Sequence, residues 1–404
     1  MHTSRFFFLR QMIGREASWI MQKKKISFII TSLGIGGAEM MLLRLLKVFD
    51  REKFEISLIS LKSGGALEKD FLDLGIPFFS AEMNSIMGTI NGYLKLRRII
   101  GEVQPQIVFC WMYHANLIGG LAARRCGVKE IYWNIRNSGL KQFWKAPITA
   151  VVVRLGAHFS KTIPEKIIIN SDQARINHIQ MGYEEIKLQV IFNGIDTNLF
   201  KPDPSVRDNL RNELNCLPST LLVGMAARFH PQKDHRTFIE AANYIKHSIP
   251  EIKFVLCGKG IDNSNNELTA WIKEFDLKSN VVLLGERRDM PQLLNALDLL
   301  ILSSAYGESF PNVIAEAMSC TVPCVATDVG GSSNIVGNAG FIVPPGNSRA
   351  LANAAINMLT KKRLRNKFGA AARKRIINEF SIEKISAEYE NLFLKKKNSQ
   401  SIKK

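Results

Sequence analysis

Residues 307–318, GESFPNVIAEAM, carry two glutamates on either side of a predicted helix start. The preceding apolar run DLLILSS (298–304) predicts a buried strand, and Pro311 suits the first turn of a helix. Glu308 is then expected in the loop and Glu316 more than one turn inside the helix. The free N–H groups and partial positive charge of a helix N-terminus would lie between them. This predicts a site for an anion such as a diphosphate, flanked by hydroxyl groups. The alternative is an ordinary surface helix.

The same pattern of a short apolar run followed by a helical segment repeats along the chain. The runs are KISFIIT, FEISLISL, IPFFSA, PQIVFCWM, EIYWNIRN and KIIINSDQ in the first half, and TLLVGMAAR, IKFVLCGKG, NVVLLGE, DLLILSS and PCVATDVGG in the second. Strands that alternate with helices predict parallel sheets with right-handed crossovers. Residues 193–206 contain the turn signals Asn-Gly and Pro-Asp-Pro, which predict a linker between the two halves of the chain. The predicted fold class is α/β, with two doubly wound, Rossmann-like domains and ligands at the carboxyl ends of the strands.

Size and composition agree with two globular domains. The 404 residues exceed what one hydrophobic core normally organises, and 46% hydrophobic with 22% charged residues are typical of a folded protein. No run of about 18 apolar residues is present, so no membrane-spanning helix is expected. The apolar part of MHTSRFFFLR is shorter than the roughly 7 to 15 residues of a secretory signal. Residues 1–24 are interpreted as a disordered N-terminal extension.

The net charge of +18 combines two mildly basic halves with basic clusters. These clusters are Lys23–Lys25, the stretch 361–375 and a basic tail, 394–404. Nucleic acid and an anionic membrane surface are both candidate partners for such clusters. Solvated helix faces and frayed tails are the alternative, because charge alone does not identify a partner.

The six cysteines predict neither a disulfide framework nor a zinc site. Only Cys320 and Cys324 are close in sequence, and no second cysteine pair accompanies them, as zinc would require. Cys110 and Cys257 lie in apolar runs that predict strands. We therefore interpret the cysteines as buried free thiols in a reducing cytoplasm.

Two further loops at predicted strand ends suit a phosphate-containing ligand. In LGIGGAE (33–39), Gly34 and Gly36 match two glycines of a dinucleotide fingerprint, but Glu39 stands at the third position. A carboxylate there disfavours a nicotinamide enzyme, although the glycines allow close backbone approach. After LLVGMAA, Arg228 and Lys233 could bind a diphosphate. The alternatives are a simple tight turn for the first loop and two solvated cations for the second.

Taken in order, these motifs resemble those of retaining glycosyltransferases with the GT-B fold, in family 4 (glycosyl transferases group 1). The motifs are GIGGAE (34–39), NGID (193–196), ARFHPQK (227–233), CGKG (257–260), ESFPNVIAE (308–316) and DVGG (328–331). The spacing of Glu308 and Glu316 is the most specific element. The resemblance implies two domains facing across a cleft. Residues 25–195 would bind the acceptor, 196–379 the nucleotide sugar, and a return helix, 380–393, would cross back onto the first domain.

The resemblance also implies roles for individual residues. Arg228 and Lys233 match the pair that neutralises the diphosphate leaving group, and Glu308 matches a contact to donor-sugar hydroxyls. His114, in WMYHANLIGG, matches a histidine that contacts the donor sugar, whereas a lone histidine after a strand is more often structural. Glu316 matches the contact to the nucleotide ribose. The full implied donor-binding set is Gly36, Gly37, Gly258, Phe310, Pro311, Asn312 and Glu316.

The implied reaction transfers a hexose or N-acetylhexosamine from a nucleoside diphosphate sugar, with UDP favoured, and retains the anomeric configuration. The acceptor would be lipid-linked or an oligosaccharide, in the synthesis of a cell-surface polysaccharide. The resemblance implies no metal, no cofactor and no nucleic-acid partner. The expected location is cytoplasmic, peripheral on the inner face of the membrane. A nucleotide-sugar epimerase of the same fold and a non-catalytic sugar-nucleotide-binding protein are the alternatives.

One segment departs from the family pattern, and another has two interpretations. Ser332–Val336 follows DVGG where relatives often have Pro-Glu, which leaves one nucleotide contact open. The segment 139–159 has Trp144, Ile148, Val151, Val152, Leu155 and Phe159 at helical spacing, together with Lys141, Lys145 and Arg154. It is either an interfacial helix near a lipid-linked acceptor or a core-facing helix of the first domain.

Overall fold

Two parallel β-sheets organise the computed structural model, which describes residues 23–138 and 147–395. The strands of the first sheet are β1 (Lys24–Ile30), β2 (Phe54–Ser60), β3 (Phe78–Ser80), β4 (Ile107–Trp111), β5 (Glu130–Ile135), β6 (Lys166–Ile169) and β7 (Leu188–Val190). Those of the second are β8 (Leu222–Ala226), β9 (Lys253–Cys257), β10 (Val281–Leu283), β11 (Leu299–Leu302), β12 (Cys324–Thr327) and β13 (Gly340–Val343).

The strand orders are those of doubly wound sheets. The first sheet runs β3-β2-β1-β4-β5-β6-β7 and the second β10-β9-β8-β11-β12-β13. In each, the order reverses beside the first strand, between β1 and β4 and between β8 and β11. Ligands bind at such switch points in α/β sheets. The predicted α/β fold class with two Rossmann-like domains is confirmed.

Helices connect the strands. In the first half they are α1 (Gly37–Val48), α2 (Glu68–Leu72), α3 (Ile86–Val103), α4 (Tyr113–Arg125), α5 (Pro147–Ser160) and α6 (Asp172–Gln180). In the second half they are α7 (Pro204–Glu213), α8 (His235–Ser248), α9 (Asn266–Glu274), α10 (Met290–Ala296), α11 (Asn312–Ser319), α12 (Ser332–Val336), α13 (Ser348–Thr360), α14 (Lys362–Phe380) and α15 (Ile382–Leu394). Short 3₁₀ turns form at Glu185–Lys187 and Pro231–Lys233.

Each sheet is buried on both faces, which explains why its strands are continuous apolar runs. In β1, Phe28 packs into the core on the α1 face, and Ile29 packs into the core on the α4 face. Alternating side chains of a strand point to opposite faces, so both must be apolar when helices cover both. All six cysteines are free, as predicted. Five are buried, and the prediction of burial is wrong for Cys126, which is half-buried.

Some predicted features fall outside the described residues. They are the N-terminal extension up to residue 22, Trp144 with Lys141 and Lys145, and the tail beyond Lys395. The described part of the segment 139–159 belongs to α5, Pro147–Ser160, which has one face toward the core and one toward solvent. Val152 and Phe159 pack against the core of the first domain, whereas Ile148, Val151 and Leu155 are exposed.

The chain crosses between the two sheets twice, and the two crossings lie side by side. Ile195 N donates a hydrogen bond to Phe380 O at 2.8 Å, and Ile382 N donates one to Ile195 O at 2.9 Å. After the second crossing, α15 packs onto the first sheet, where Phe393 is fully buried against Phe109. The last helix of the chain therefore completes the core that begins with β1.

Two buried histidines are held in the neutral form. His178 Nε2 lies 2.8 Å from Tyr113 OH, and its Nδ1 lies 2.7 Å from Ala174 O. His235 is also buried. Burial lowers the pKa of His178 to about 4 and, in the same way, that of His235 to about 4.

Acidification should therefore destabilise the fold. Because the folded-state pKa values lie below the unfolded value of about 6.5, protons bind preferentially to the unfolded chain once the pH falls below about 6.5. At pH 5 each of the two histidines should lower the free energy of unfolding by about 2 kcal/mol, and the loss should grow until about pH 4. Urea unfolding at pH 5 and pH 7 measures it. His178→Asn should show a smaller pH dependence, and the exposed-site variant His247→Asn an unchanged one. Equal pH dependence of His178→Asn and the native chain would contradict the prediction.

Candidate active site

The loop after β11 and the first turns of α11 form the centre of the candidate site. Glu308 lies in this loop and Glu316 in the second turn of the helix, and they are 6% and 7% exposed. The helix begins at Asn312, with Pro311 as its N-cap. Burying two carboxylates is costly unless each has a cationic or hydrogen-bonding partner. Each glutamate does have one, and the two partners come from different domains.

The Glu308 carboxylate is bound within the second domain. Its Oε1 accepts hydrogen bonds from Lys233 Nζ, in an ion pair, and from Ser304 Oγ at 2.6 Å. The backbone carbonyl oxygen of Glu308 accepts a hydrogen bond from Ser138 Oγ of the first domain, also at 2.6 Å. Gly330 has a φ of +61°, and a Cβ there would lie 2.5 Å from the Glu308 carbonyl carbon. The glycine of the DVGG motif thus lets the backbone pack directly against Glu308.

The Glu316 carboxylate is bound by the first domain. Its Oε1 accepts a hydrogen bond from Arg44 Nη2 at 2.6 Å. Arg44 belongs to α1, whose other inward positions are apolar. Arg44 was not predicted from the sequence. A single arginine inside the apolar run MMLLRLL (40–46) is the local signal that could have found it.

The two cations predicted to bind a diphosphate lie on one loop but differ in their surroundings. Lys233 ends the 3₁₀ turn Pro231–Lys233 and pairs with Glu308. Arg228 follows β8 and is exposed, with its Nη2 3.5 Å from Gln232 Oε1. The structure therefore brings Lys233 to the motif glutamate and leaves Arg228 open to solvent on the same side.

The glycine-rich loop of the first domain faces the start of α11. Gly36 is the N-cap of α1, and a Cβ at Gly37 would lie 3.6 Å from Asn312 Nδ2. The Glu39 side chain folds back over Gly36, and burial raises the pKa of its carboxyl group. Two helix N-termini with their free N–H groups therefore meet across the cleft, which suits an anionic ligand.

Two other predicted donor contacts are built from backbone. Gly258 has a φ of +139°, and a Cβ there would lie 2.5 Å from the carbonyl carbon of Ala227, just before Arg228. Phe310 is a core residue, with its ring centroid 5.7 Å from that of Phe380. The Phe310 side chain anchors the loop, so only its backbone is left for a ligand.

His114 lies at the start of α4, among the strand ends of the first domain. Burial, and secondly the charge of Lys62, lower the pKa of His114, so its imidazole is neutral at pH 7. The described contacts of Glu308 are with Lys233 and Ser304 rather than with His114. Lys62 is a further candidate at this edge that the sequence analysis missed.

Polar side chains join the two domains around the site. Arg136 donates to Asn193 Oδ1, and Asn193 Nδ2 donates to Asn312 Oδ1 at 2.7 Å. In the segment that departs from the family pattern, Asn334 Nδ2 donates to Asp172 Oδ2 at 2.9 Å. Side chains of the first domain therefore bond directly to α11 and α12 of the second domain.

Residues 23–138 and 147–395 contain neither a metal-binding cluster nor a membrane-spanning helix. No group of three or more His, Cys, Asp or Glu side chains there could hold a metal ion. Among the helices of this part of the chain, none combines the length and the apolar character needed to cross a bilayer.

The two-domain arrangement and the cleft are those of solved GT-B glycosyltransferases. HepE from Anabaena, solved in complex with UDP, aligns with a TM-score of 0.81 and 25% identity, over 91% of this chain and 99% of HepE. A sucrose-phosphate synthase from Thermosynechococcus elongatus shares the fold, with a TM-score of 0.76 and 17% identity over 92% of this chain and 98% of its own. The fold and the site therefore define a glycosyltransferase of the GT-B class.

Family models and curated relatives place the chain more narrowly. The model of Glycosyl transferases group 1 matches residues 206–375, and that of Glycosyltransferase Family 4 matches residues 35–199. The chain belongs to the group 1, family 4 glycosyltransferases, which confirms the resemblance seen in the motifs. It is 26% identical to the Escherichia coli UDP-Gal:alpha-D-GlcNAc-diphosphoundecaprenol alpha-1,3-galactosyltransferase, over 92% of this chain and 97% of the relative. A Campylobacter jejuni N-acetylgalactosaminyltransferase that acts on a diphospho-undecaprenol-linked sugar is 25% identical over 87% of this chain and 94% of the relative.

Proposed function

We propose that this glycosyltransferase moves a hexose or N-acetylhexosamine from a UDP-sugar to a lipid-linked or oligosaccharide acceptor, with retention, in the synthesis of a cell-surface polysaccharide. The observation that carries the proposal is the pair of buried glutamates, Glu308 and Glu316, each bound to a cation on either side of the α11 N-terminus. The name of the E. coli relative supports a UDP donor, and the names of the E. coli and C. jejuni relatives both support a diphosphate-linked lipid acceptor.

In this proposal the donor diphosphate binds between the N-termini of α1 and α11. Arg228 and Lys233 neutralise the charge that develops on the diphosphate as it leaves. Glu308 accepts hydrogen bonds from the sugar, and Glu316 from the ribose. The acceptor oxygen bonds to the anomeric carbon on the face from which the diphosphate departs, the bond from that carbon to the phosphate oxygen breaks, and the acceptor proton passes to a diphosphate oxygen.

Retention without a covalent intermediate fits the surroundings of Glu308. A retaining hydrolase uses one carboxylate as a nucleophile and a second as an acid, about 5 Å apart. Here Oε1 of Glu308 is engaged by Lys233 and Ser304, which suits a hydrogen-bonding role better than attack on carbon. The cationic side chains are proposed to supply the charge stabilisation, with no metal or other cofactor.

The proposal is tested by incubating the purified chain with a panel of UDP-sugars, GDP-sugars and NAD. Thermal stabilisation identifies the nucleotide, because a ligand at 100 times its dissociation constant adds about 2.7 kcal/mol. Nucleoside diphosphate release in the presence of a diphosphate-linked lipid acceptor then measures transfer, and NMR of the product gives the anomeric configuration. Conversion of the donor without an acceptor would identify an epimerase instead. Binding without turnover would identify a sugar-nucleotide-binding protein.

We further propose that the first domain lies on the anionic inner face of the cell membrane, from the cytoplasmic side. On α5, Ile148, Val151 and Leu155 are 68%, 54% and 44% exposed and lie on one helix face. On α3, Ile90 and Leu94 are exposed in the same way, and α4 packs between the two helices. Exposed arginines on these three helices are Arg97, Arg98, Arg124, Arg125 and Arg154. Exposed apolar and basic side chains together are typical of interfacial membrane binding.

Replacing Val151 and Leu155 together with serine should weaken binding to phosphatidylglycerol-containing vesicles by about 10-fold or more, because each apolar side chain contributes about 1 kcal/mol in an interface. Flotation of the protein with vesicles measures the binding. The control is Ile377→Ser, an exposed apolar residue on α14, which should leave binding unchanged. Failure of the native chain to float, or equal binding by the α5 variant and the native chain, would argue against this surface.

A further inference from the structure

We propose that Arg44 is a positioning residue that orients Glu316 toward the nucleotide ribose only while the two domains are closed, so that ribose recognition is coupled to closure. This role rests on the proposed function of Glu316. Arg44 belongs to α1 of the first domain and Glu316 to α11 of the second, and their side chains meet at 2.6 Å. The ion pair therefore links the two domains across the cleft.

The Arg44–Glu316 ion pair is largely buried, so its hydrogen bond can fix the orientation of the Glu316 carboxylate. The Arg44 and Glu316 side chains are 13% and 9% exposed. A charged hydrogen bond in such a position is less screened by solvent than a surface pair, and loss of one partner leaves the other buried and unpaired. The direction in which the Glu316 carboxylate points is thus set by a residue of the opposite domain.

The second domain binds the guanidinium group from a second direction. Arg44 Cζ lies 5.3 Å from the centre of the Phe200 ring. Phe200 is itself buried, and its carbonyl oxygen accepts hydrogen bonds from Ser319 Oγ at 2.5 Å and Arg373 Nη1 at 3.2 Å. Arg44 therefore enters a preformed surface made by one aromatic ring and one carboxylate, and it would leave that surface if the domains moved apart.

The pair leaves hydrogen-bonding capacity for a hydroxyl group. Arg44 uses Nη2 for Glu316, and its Nη1 is buried with no hydrogen-bond partner. An N–H group in this position contributes to a rigid, desolvated setting for the guanidinium group. Only Oε1 of Glu316 is engaged by Arg44. A ribose hydroxyl can donate to the other carboxylate oxygen, which Arg44 does not engage.

A second interdomain hydrogen bond provides a control that distinguishes the orientation of Glu316 from the closure of the domains. Asn334 Nδ2 and Asp172 Oδ2 also join the domains, at 2.9 Å, without touching Glu316. If Arg44 merely held the domains together, its loss would resemble the loss of Asn334. If Arg44 acts through Glu316, its loss should affect specifically the ligands that have ribose hydroxyls.

The test measures dissociation constants for UDP and for UDP lacking the 2′- and 3′-hydroxyls, by calorimetry. The native chain should prefer UDP by about 100-fold, the value of two good hydrogen bonds to a charged group. Arg44→Gln should weaken UDP binding about 30-fold and so reduce the preference to a few-fold, and Arg44→Lys should restore part of it. Asn334→Ala should weaken both ligands alike and keep their ratio.

The outcomes separate the two proposals. If Arg44→Gln and Arg44→Lys weaken both nucleotides by the same factor, Arg44 only closes the cleft and the positioning role is wrong. If the native chain binds no UDP, the proposed donor is wrong, and the role of Arg44 toward its ribose falls with it. Melting temperatures of the variants show whether each is folded before its affinity is compared.

Discussion

Lys233→Ala is expected to lower the turnover number for sugar transfer by about 1,000-fold, because removing one group that stabilises developing charge typically costs about 100- to 1,000-fold and this change also frees Glu308. Lys233 is the charged group in contact with a motif glutamate inside the second domain. Its ammonium group would lie between the diphosphate and the Glu308 carboxylate. Without it, the leaving group loses a cation, and the buried carboxylate loses its partner.

Steady-state kinetics with a saturating acceptor measures this effect. The matched control is Lys246→Ala, a lysine on α8 that binds Asp276 away from the cleft, and its turnover should stay close to that of the native chain. Glu308→Gln should also lower turnover, and the double variant should be little worse than Lys233→Ala alone, because groups that act as a unit give non-additive effects. A Lys233→Ala enzyme within about 10-fold of native turnover would contradict the assignment.

Gly330→Ala is expected to lower the free energy of unfolding by about 3–5 kcal/mol, combining the strain of an alanine at positive φ with overpacking. The added Cβ would overlap with the carbonyl group of Glu308, 2.5 Å from its carbon atom. That carbonyl would have to leave Ser138 Oγ, and the Glu308 side chain would move with it. We therefore expect a loss of transfer activity even in the fraction that remains folded.

Gly346→Ala isolates the part of the cost that comes from backbone conformation. Gly346 has a φ of +70°, and a Cβ there would meet nothing within 4 Å. Urea unfolding should show a loss of about 1 kcal/mol for this variant, with full activity. Similar losses for Gly330→Ala and Gly346→Ala would mean that the contact with Glu308 does not constrain the loop.

Local sequence patterns predicted most of the architecture because both sheets are buried on both faces. A strand such as β4 is then a continuous apolar run, PQIVFCWM, which ends where a helix begins. The strands β7 and β13 were not singled out. β7 has three residues, two of them half-buried, and β13 has three half-buried residues of four. These two strands give a weak apolar signal because β7, LQV, has a glutamine at its centre and β13, GFIV, begins with a glycine, whereas the edge strands β3 and β10 lie in longer apolar runs.

The site could be predicted only as far as its residues are neighbours in sequence. The strand, loop and helix around Glu308 and Glu316 follow from one stretch of chain. The partner of Glu316 does not, because Arg44 lies 272 positions away on another domain. No local pattern encodes which arginine faces which carboxylate after two domains close, so that information exists only in the folded chain.

Helix α15 has a consequence for how the protein is made. Lys24 Nζ, in β1, donates a hydrogen bond to Phe393 O at 2.8 Å, and the two residues are 369 positions apart. A ribosome releases the first sheet long before it releases the helix that covers Phe109. The aromatic face of the first domain therefore stays exposed to water while the entire second domain is synthesised. Contacts of such long range slow folding and extend exposure to aggregation. The order of synthesis makes the second domain the first to be able to complete its own core.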